Sequence, residues 1–184
     1  MSVTEQAGTP AVPASLTVLI GPAGVGKSTW CAASGLPATA IVCLDQHRAD
    51  VADDECDQDA TADAVALMNL RLAARLRRGL PTVVDATNTE IRVRRELLDL
   101  ADEHGAAVRA VVFDAPLSLV LDRNARRRGP LPGRRWGRAV PPAVVEVHHA
   151  ETAKLAADPQ ILLDEGFAAV DVVTTSGESV QPER

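Results

Sequence analysis

At 184 residues with 46% hydrophobic side chains, the chain has apolar material for one core and too little for a second full domain. Two Phe, two Trp and no Tyr leave almost no aromatic surface for stacking single-stranded bases, and a formal net charge of −6 argues against a general polyanion binder. The cysteines, Cys31, Cys43 and Cys56, are odd in number and lack CxxC spacing, which gives neither a disulfide framework nor a zinc site and points to a reducing compartment.

Residues 1–14, rich in Thr, Ala, Gly and Pro, have no periodicity and are expected to form a flexible tail ahead of an ordered domain over 15–173. Leu16 to Ile20 is a short β-branched apolar run ending at Gly21, the pattern of a strand buried on both faces. Four runs resemble it: Ala40 to Leu44, Thr82 to Asp85, Val108 to Phe113 and Ala168 to Val173. Between them lie helical patterns over Asp63 to Arg78, Glu90 to His104 and Pro116 to Arg128, each followed by a glycine, with Asn88 or Thr89 as a start signal and Pro116, Pro142 and Pro159 at first-turn positions. Residues 129–139 fit neither period and are expected to form a lid loop, and 174–184 a second flexible tail. No charged start precedes an apolar leader and no apolar run approaches bilayer length, so the expectation is a soluble, cytoplasmic chain with no membrane association and no disulfides.

The turn after the first strand, Gly21-Pro-Ala-Gly-Val-Gly-Lys-Ser-Thr29, matches GxxxxGK[ST] with a strand before it and a helix starting near Lys27. Glycines at 21, 24 and 26 let successive backbone N–H groups point at phosphate oxygens, and the helix N-terminus adds its positive dipole end. Gly21, Ala23, Gly24, Val25, Gly26, Lys27, Ser28 and Thr29 are therefore the expected contacts of an ATP or GTP triphosphate. Lys27 is expected on the β and γ phosphates and Ser28 on Mg²⁺. With strand and helix alternating, the fold class expected is an α/β P-loop NTPase: a parallel sheet of about five strands, helices on both faces, and an arginine-rich lid.

In such a sheet the ligand crevice lies at the carboxyl ends of the strands, so residues just after Leu44 and Val84 face the γ-phosphate. Asp45 and Arg48, three apart on one face of a helical turn, suit a base for an acceptor hydroxyl beside a guanidinium for a nearby phosphate; equally, Asp45 caps a helix and Arg48 pairs with a neighbouring acid. Asp85, Thr87 and Asn88 stand on the same edge as candidate substrate contacts, and Asp85 can hold Mg²⁺ through water; capping by Asp85 or Asn88 is the competing account. The acidic run Asp53 to Asp57 reads as a solvated loop.

Between Arg123 and Arg138 lie seven arginines and no acid, whereas the whole chain has only two lysines, Lys27 and Lys154. Arginines over the γ-phosphate are a recurring way to stabilise the charge of phosphoryl transfer. The helical spacing of Arg123, Arg126 and Arg127 turns at least two of them to the crevice, with Arg123 and Arg127 taken as nucleotide contacts and Arg128, Arg134, Arg135 and Arg138 left for the lid or a polyanionic acceptor. His47, His104, His148 and His149 read as ordinary residues, and Trp30 and Trp136 as packing residues, although Trp136 in the lid has the option of stacking on a base.

The strings GPAGVGKSTW, CLDQHRADVADDECDQDAT, RLRRGLPTVVDATNTEIRVRR and VVFDAPLSLVLDRNARR resemble the kinase module of bacterial polynucleotide kinase-phosphatases, with phage polynucleotide kinase more distant. The resemblance covers roughly residues 15 to 173. It implies transfer of the γ-phosphate of ATP to a 5′-hydroxyl end of RNA or DNA, with Lys27 and Ser28 on ATP and Mg²⁺, Asp45 as general base and Arg48 on the acceptor's terminal 3′ phosphodiester. Arg123 and Arg138 resemble the family's two lid arginines, with Arg126 or Arg127 as alternatives to Arg138. Scarce aromatics and net acidity instead favour a small-molecule kinase of the same superfamily, and a non-catalytic ATP-binding switch is the third expectation.

Overall fold

The computed structural model describes residues 16–127 and 139–175, so the first expected tail, all but the first two residues of the second, most of the expected lid, and Arg128, Arg134, Arg135, Trp136 and Arg138 lie outside the described residues. Five strands, β1 (Leu16–Ile20), β2 (Ile41–Cys43), β3 (Thr82–Asp85), β4 (Val108–Asp114) and β5 (Ala169–Thr174), form one sheet in the order β2-β3-β1-β4-β5. Every pairing is parallel, which is the expected consequence of helical crossovers between successive strands.

The helices are α1 (Lys27–Ala33), α2 (Leu44–Ala52), α3 (Thr61–Leu76), α4 (Ile91–Asp102), α5 (Leu117–Ala125), α6 (Pro142–Ala157) and α7 (Gln160–Glu165). Because side chains alternate across a strand, β1 divides its apolar residues between two cores. Leu16, Val18 and Ile20 join Met68, Leu72, Leu97 and Leu162 on one face, while Leu19 joins Cys31, Phe113, Val120 and Val145 on the other. Helix α3 shows why the sequence chooses helix there: Ala64, Met68, Leu72 and Leu76, four apart, form its buried stripe. Gly79, at φ 63°, closes it, with Leu80 N–H bonded back to Arg75 C=O at 3.1 Å.

Several boundaries differ from expectation for local reasons. Leu44 leaves the second strand and opens α2, which places Asp45 in that helix's first turn. Helix α3 begins at Thr61 rather than Asp63, and α4 and α5 end one turn or so early, at Asp102 and Ala125. Strand β5 reaches Thr174, which pairs with Asp114, and Thr175 N–H still bonds Asp114 C=O at 2.8 Å, so the ladder enters the stretch expected to be a tail. As an edge strand β5 is half-exposed, unlike the buried β1 and β3 it resembles in sequence. No helix among the described residues is long and apolar enough to cross a membrane.

Candidate active site

The parallel strands bring the segments after β1, β2 and β3 to one edge of the sheet, where they border a cleft of about 600 Å³. The turn Gly21 to Gly26 enters α1 through Gly26, whose φ of 117° no ordinary side chain adopts readily. Gly24 has a second constraint: a Cβ there would stand 2.8 Å from the Val120 carbonyl oxygen and 3.1 Å from the Asn124 nitrogen, so the turn is packed directly on α5.

Lys27 is only 9% exposed, and its ammonium donates to the carbonyls of Gly21 at 2.7 Å and Pro22 at 2.9 Å. Burial lowers its pKa to about 8; the Asp85 and Asp45 carboxylates oppose that shift and the Arg127 guanidinium adds to it. The next residue, Ser28, donates its hydroxyl to Asp85 Oδ2 at 3.1 Å. These are two hard oxygen donors side by side, the donor set that Mg²⁺ takes. No group of three or more His, Cys, Asp or Glu gathers among the described residues, so a Mg²⁺ here would draw its other oxygens from phosphates and water.

On α2, Arg48 Nη1 donates to Asp45 Oδ1 at 2.5 Å and both residues border the cleft, so the acid that Arg48 pairs with is Asp45 itself, whereas the cap of α2 is Cys43 and the Asp45 side chain does not cap the helix. Asp45 Oδ2 and Arg48 Nη2 have no partner among the described residues. Arg48 Nε is held by Thr61 Oγ1 at 3.1 Å. Thr87 also borders the cleft, and its carbonyl accepts from Gly21 N–H at 3.0 Å, which ties the loop after β3 to the phosphate turn.

Ala23, Gly24, Val25, Gly26, Thr29, Arg123 and Arg127 complete the residues expected in the cleft that do border it. Arg126 points away to Asp122. Gly21 stands behind the others with its carbonyl on Lys27. Asn88 is the exception: it is buried outside the cleft with φ 49°, and its side-chain amide donates to Leu19 C=O at 2.8 Å, while the cap of α4 is Glu90. Its side chain is a strut under β1 rather than a contact for substrate.

Sequence reasoning missed Phe113, Val140, Val173 and Thr175, which close the far side of the cleft from three distant segments, and Cys43 beside Asp45. Nothing local marks them, because they meet only through the sheet order. Trp30 packs edge-on to Phe113 with ring centroids 6.4 Å apart and also borders the cleft. Burial pushes the Cys31 thiol up to about 12 and the Cys43 thiol up to about 11, so both favour the protonated form at neutral pH. The acidic run uses Asp54 and Asp57 on loop amides of Cys56, Asp59 and Ala60.

No curated protein matches the sequence. A chain of a Pnkp1/Rnl/Hen1 RNA repair complex superposes with a TM-score of 0.62 at 22% identity, over 76% of this chain and 44% of that one. A chain of AvrRxo1-ORF1:-ORF2 with ATP gives 0.56 at 20% identity, over 89% and 55%, and a gluconokinase from Sinorhizobium meliloti 1021 gives 0.51 at 21%, over 90% and 85%. The chain thus spans less than two thirds of the first two, and at these identities the likeness is one of fold: a P-loop kinase-like α/β sheet. The stretch that builds the phosphate turn, the Asp45 helix and α5 lies within residues 16–149, which match the family model AAA_33, described as an AAA domain, and the chain belongs to that family.

Proposed function

We propose that the chain is an ATP-dependent kinase that moves the γ-phosphoryl group onto a hydroxyl, with the 5′-OH end of RNA or DNA as acceptor. The observation that carries this reading is the Asp45–Arg48 pair, an available carboxylate oxygen and an available guanidinium nitrogen in one cleft with Lys27, Ser28 and Asp85. A phosphate turn alone needs only the last three.

On this reading the triphosphate lies on the backbone amides of residues 23–29, and Lys27 exchanges the carbonyls of Gly21 and Pro22 for the β and γ phosphates. Ser28 and Asp85 would hold Mg²⁺, which would supply neutralisation of the triphosphate charge. Asp45 Oδ2 accepts the hydroxyl proton as the acceptor oxygen bonds to the γ-phosphorus and the bond from phosphorus to the β–γ bridging oxygen breaks, releasing ADP. Arg123 and Arg127 offset the charge that spreads over the γ oxygens, and Arg48 Nη2 holds the phosphodiester next to the reacting hydroxyl.

A second reading, a small-molecule kinase, is favoured by the gluconokinase match, which spans 85% of that chain where the RNA repair match spans 44%. Incubation with γ-labelled ATP, Mg²⁺ and either a 5′-OH oligonucleotide or a panel of sugar acids, nucleotide sugars and aminoglycosides separates the two. Label on the oligonucleotide supports the first reading; label on small alcohols alone replaces it with the second. ATP binding with no transfer to any acceptor leaves the non-catalytic switch.

A further inference from the structure

Arg48 enters the cleft from a nearly closed surrounding, and Thr61 is part of it. Thr61 is the first residue of α3, thirteen positions after Arg48, and does not border the cleft. Its hydroxyl has one hydrogen, which it donates to the Gln58 carbonyl at 2.6 Å. That leaves only lone pairs facing Arg48, whose Nε–H they accept at 3.1 Å. Asp45 takes Nη1. With Nε and Nη1 fixed at two points the planar guanidinium has one orientation, and the nitrogen it presents without a described partner is Nη2.

We propose that Thr61 is a positioning residue that aims Arg48 at an anionic group near the acceptor hydroxyl, and so sets preference for acceptors that carry a phosphate on the same sugar as the reacting hydroxyl. This rests on the reading of Arg48 as the acceptor's phosphate contact. Asp45 alone cannot hold the guanidinium, because a single hydrogen bond at Nη1 leaves rotation about it open. Nor can burial, since a buried Nε–H without an acceptor carries a desolvation cost that the side chain relieves by turning.

The test is calorimetric titration of adenosine 3′-monophosphate, and separately of adenosine, into protein saturated with Mg²⁺ and a non-hydrolysable ATP analogue. Thr61→Val, which keeps the shape and removes the hydroxyl, is expected to weaken the 3′-monophosphate about tenfold, the scale of one charge-assisted hydrogen bond. Thr61→Ser is expected to restore it to within about twofold, with affinity for adenosine and for the ATP analogue unchanged in both. Thr61→Ala gives the same reading should the valine fail to fold. Equal affinity of wild type and Thr61→Val for the 3′-monophosphate overturns the proposal, as does a loss shared equally by the ATP analogue, which is what a merely structural role of the α3 start would give. Wild type that binds no 3′-monophosphate also overturns it. Transfer by the wild type to a 5′-OH oligonucleotide with no Thr61 effect sinks Thr61 and leaves the kinase reading; a Thr61 effect on binding with no transfer does the reverse.

Discussion

Two arginine–carboxylate pairs in this molecule have the same chemistry and opposite surroundings. Arg94, on α4, meets Glu165 with two parallel bonds, Nε to Oε2 at 2.7 Å and Nη2 to Oε1 at 2.6 Å, and the side chains are 4% and 11% exposed. Its remaining nitrogen takes the carbonyls of Thr89 at 2.6 Å and Asn88 at 3.3 Å. Arg48 makes one bond to Asp45, and while the arginine is 6% exposed the carboxylate is 42% exposed. An arginine with all three nitrogens bonded and an acid only 11% exposed make a clamp, which here holds the loop after β3 through the carbonyls of Asn88 and Thr89. A half-open pair with an unused oxygen and an unused nitrogen is free to exchange partners with a ligand, and burial of only one member is what keeps that exchange cheap.

The comparison breaks first on stability. Arg94→Ala leaves Glu165 and two loop carbonyls without their donor inside the protein, and the expected loss is about 3–5 kcal/mol of unfolding free energy, read from the denaturant midpoint. An unchanged midpoint would make the clamp an ornament. Asp45→Asn is expected to do the opposite: the midpoint stays, and kcat for phosphoryl transfer falls by about 10²-fold or more, as for loss of a positioned base. A kcat within a few-fold of wild type would remove Asp45 from the chemistry.

A smaller effect comes from Lys27, the third cation whose partners are close. Its pKa near 8 in the nucleotide-free protein means that the ammonium is half lost at that pH, whereas a bound triphosphate holds the proton on. ATP binding above about pH 8 must therefore take up a proton, and affinity falls as pH rises, by about tenfold between pH 7 and 9 if only the ammonium binds. Calorimetry at pH 8.5 in two buffers of different ionisation enthalpy measures the uptake; equal heats in both would rule it out. The stability of the empty protein runs the other way. The unfolded chain, with Lys27 near 10.5, binds more protons between about pH 8 and 10.5, so this group makes the fold more stable as pH rises through that window.

The strands were legible because parallel strands buried on both faces are continuous apolar runs, and β1 and β3 have the bounds their residues predict. The phosphate turn and the placing of Asp45 and Asp85 followed from local rules as well. Asn88 misled because Asn is both a helix cap and a residue that tolerates positive φ, and only the contact with Leu19, sixty-nine positions away, decides which. Arg94 left a signal that was not used. It shares the buried stripe of α4 with Leu97 and Ala101, and a charge on an apolar stripe calls for a buried partner. That the partner is Glu165, seventy-one residues on, depends on α7 returning beside α4, which no local pattern gives.

The end of α5 offers the finest division between the two kinds of arginine. Arg123, in the last turn of α5, and Arg127, in the turn that follows it, both border the cleft, while Arg126, between them, turns to solvent at 78% exposure and pairs with Asp122 at 2.9 Å. Of these three the sequence singles out Arg123 and Arg127 for the nucleotide, and those are the two that border the cleft. An exposed i, i+4 pair contributes little, so Arg126→Ala is expected to change unfolding free energy by no more than about 0.5 kcal/mol and to leave kcat and the KM for ATP unchanged within about twofold. Arg127→Ala, one residue along, should raise the Lys27 pKa by removing a neighbouring cation and weaken transfer. Steady-state rates of the two variants side by side decide it. A drop in kcat for Arg126→Ala as large as that for Arg127→Ala would mean that the division between these two arginines does not carry over to the reacting complex.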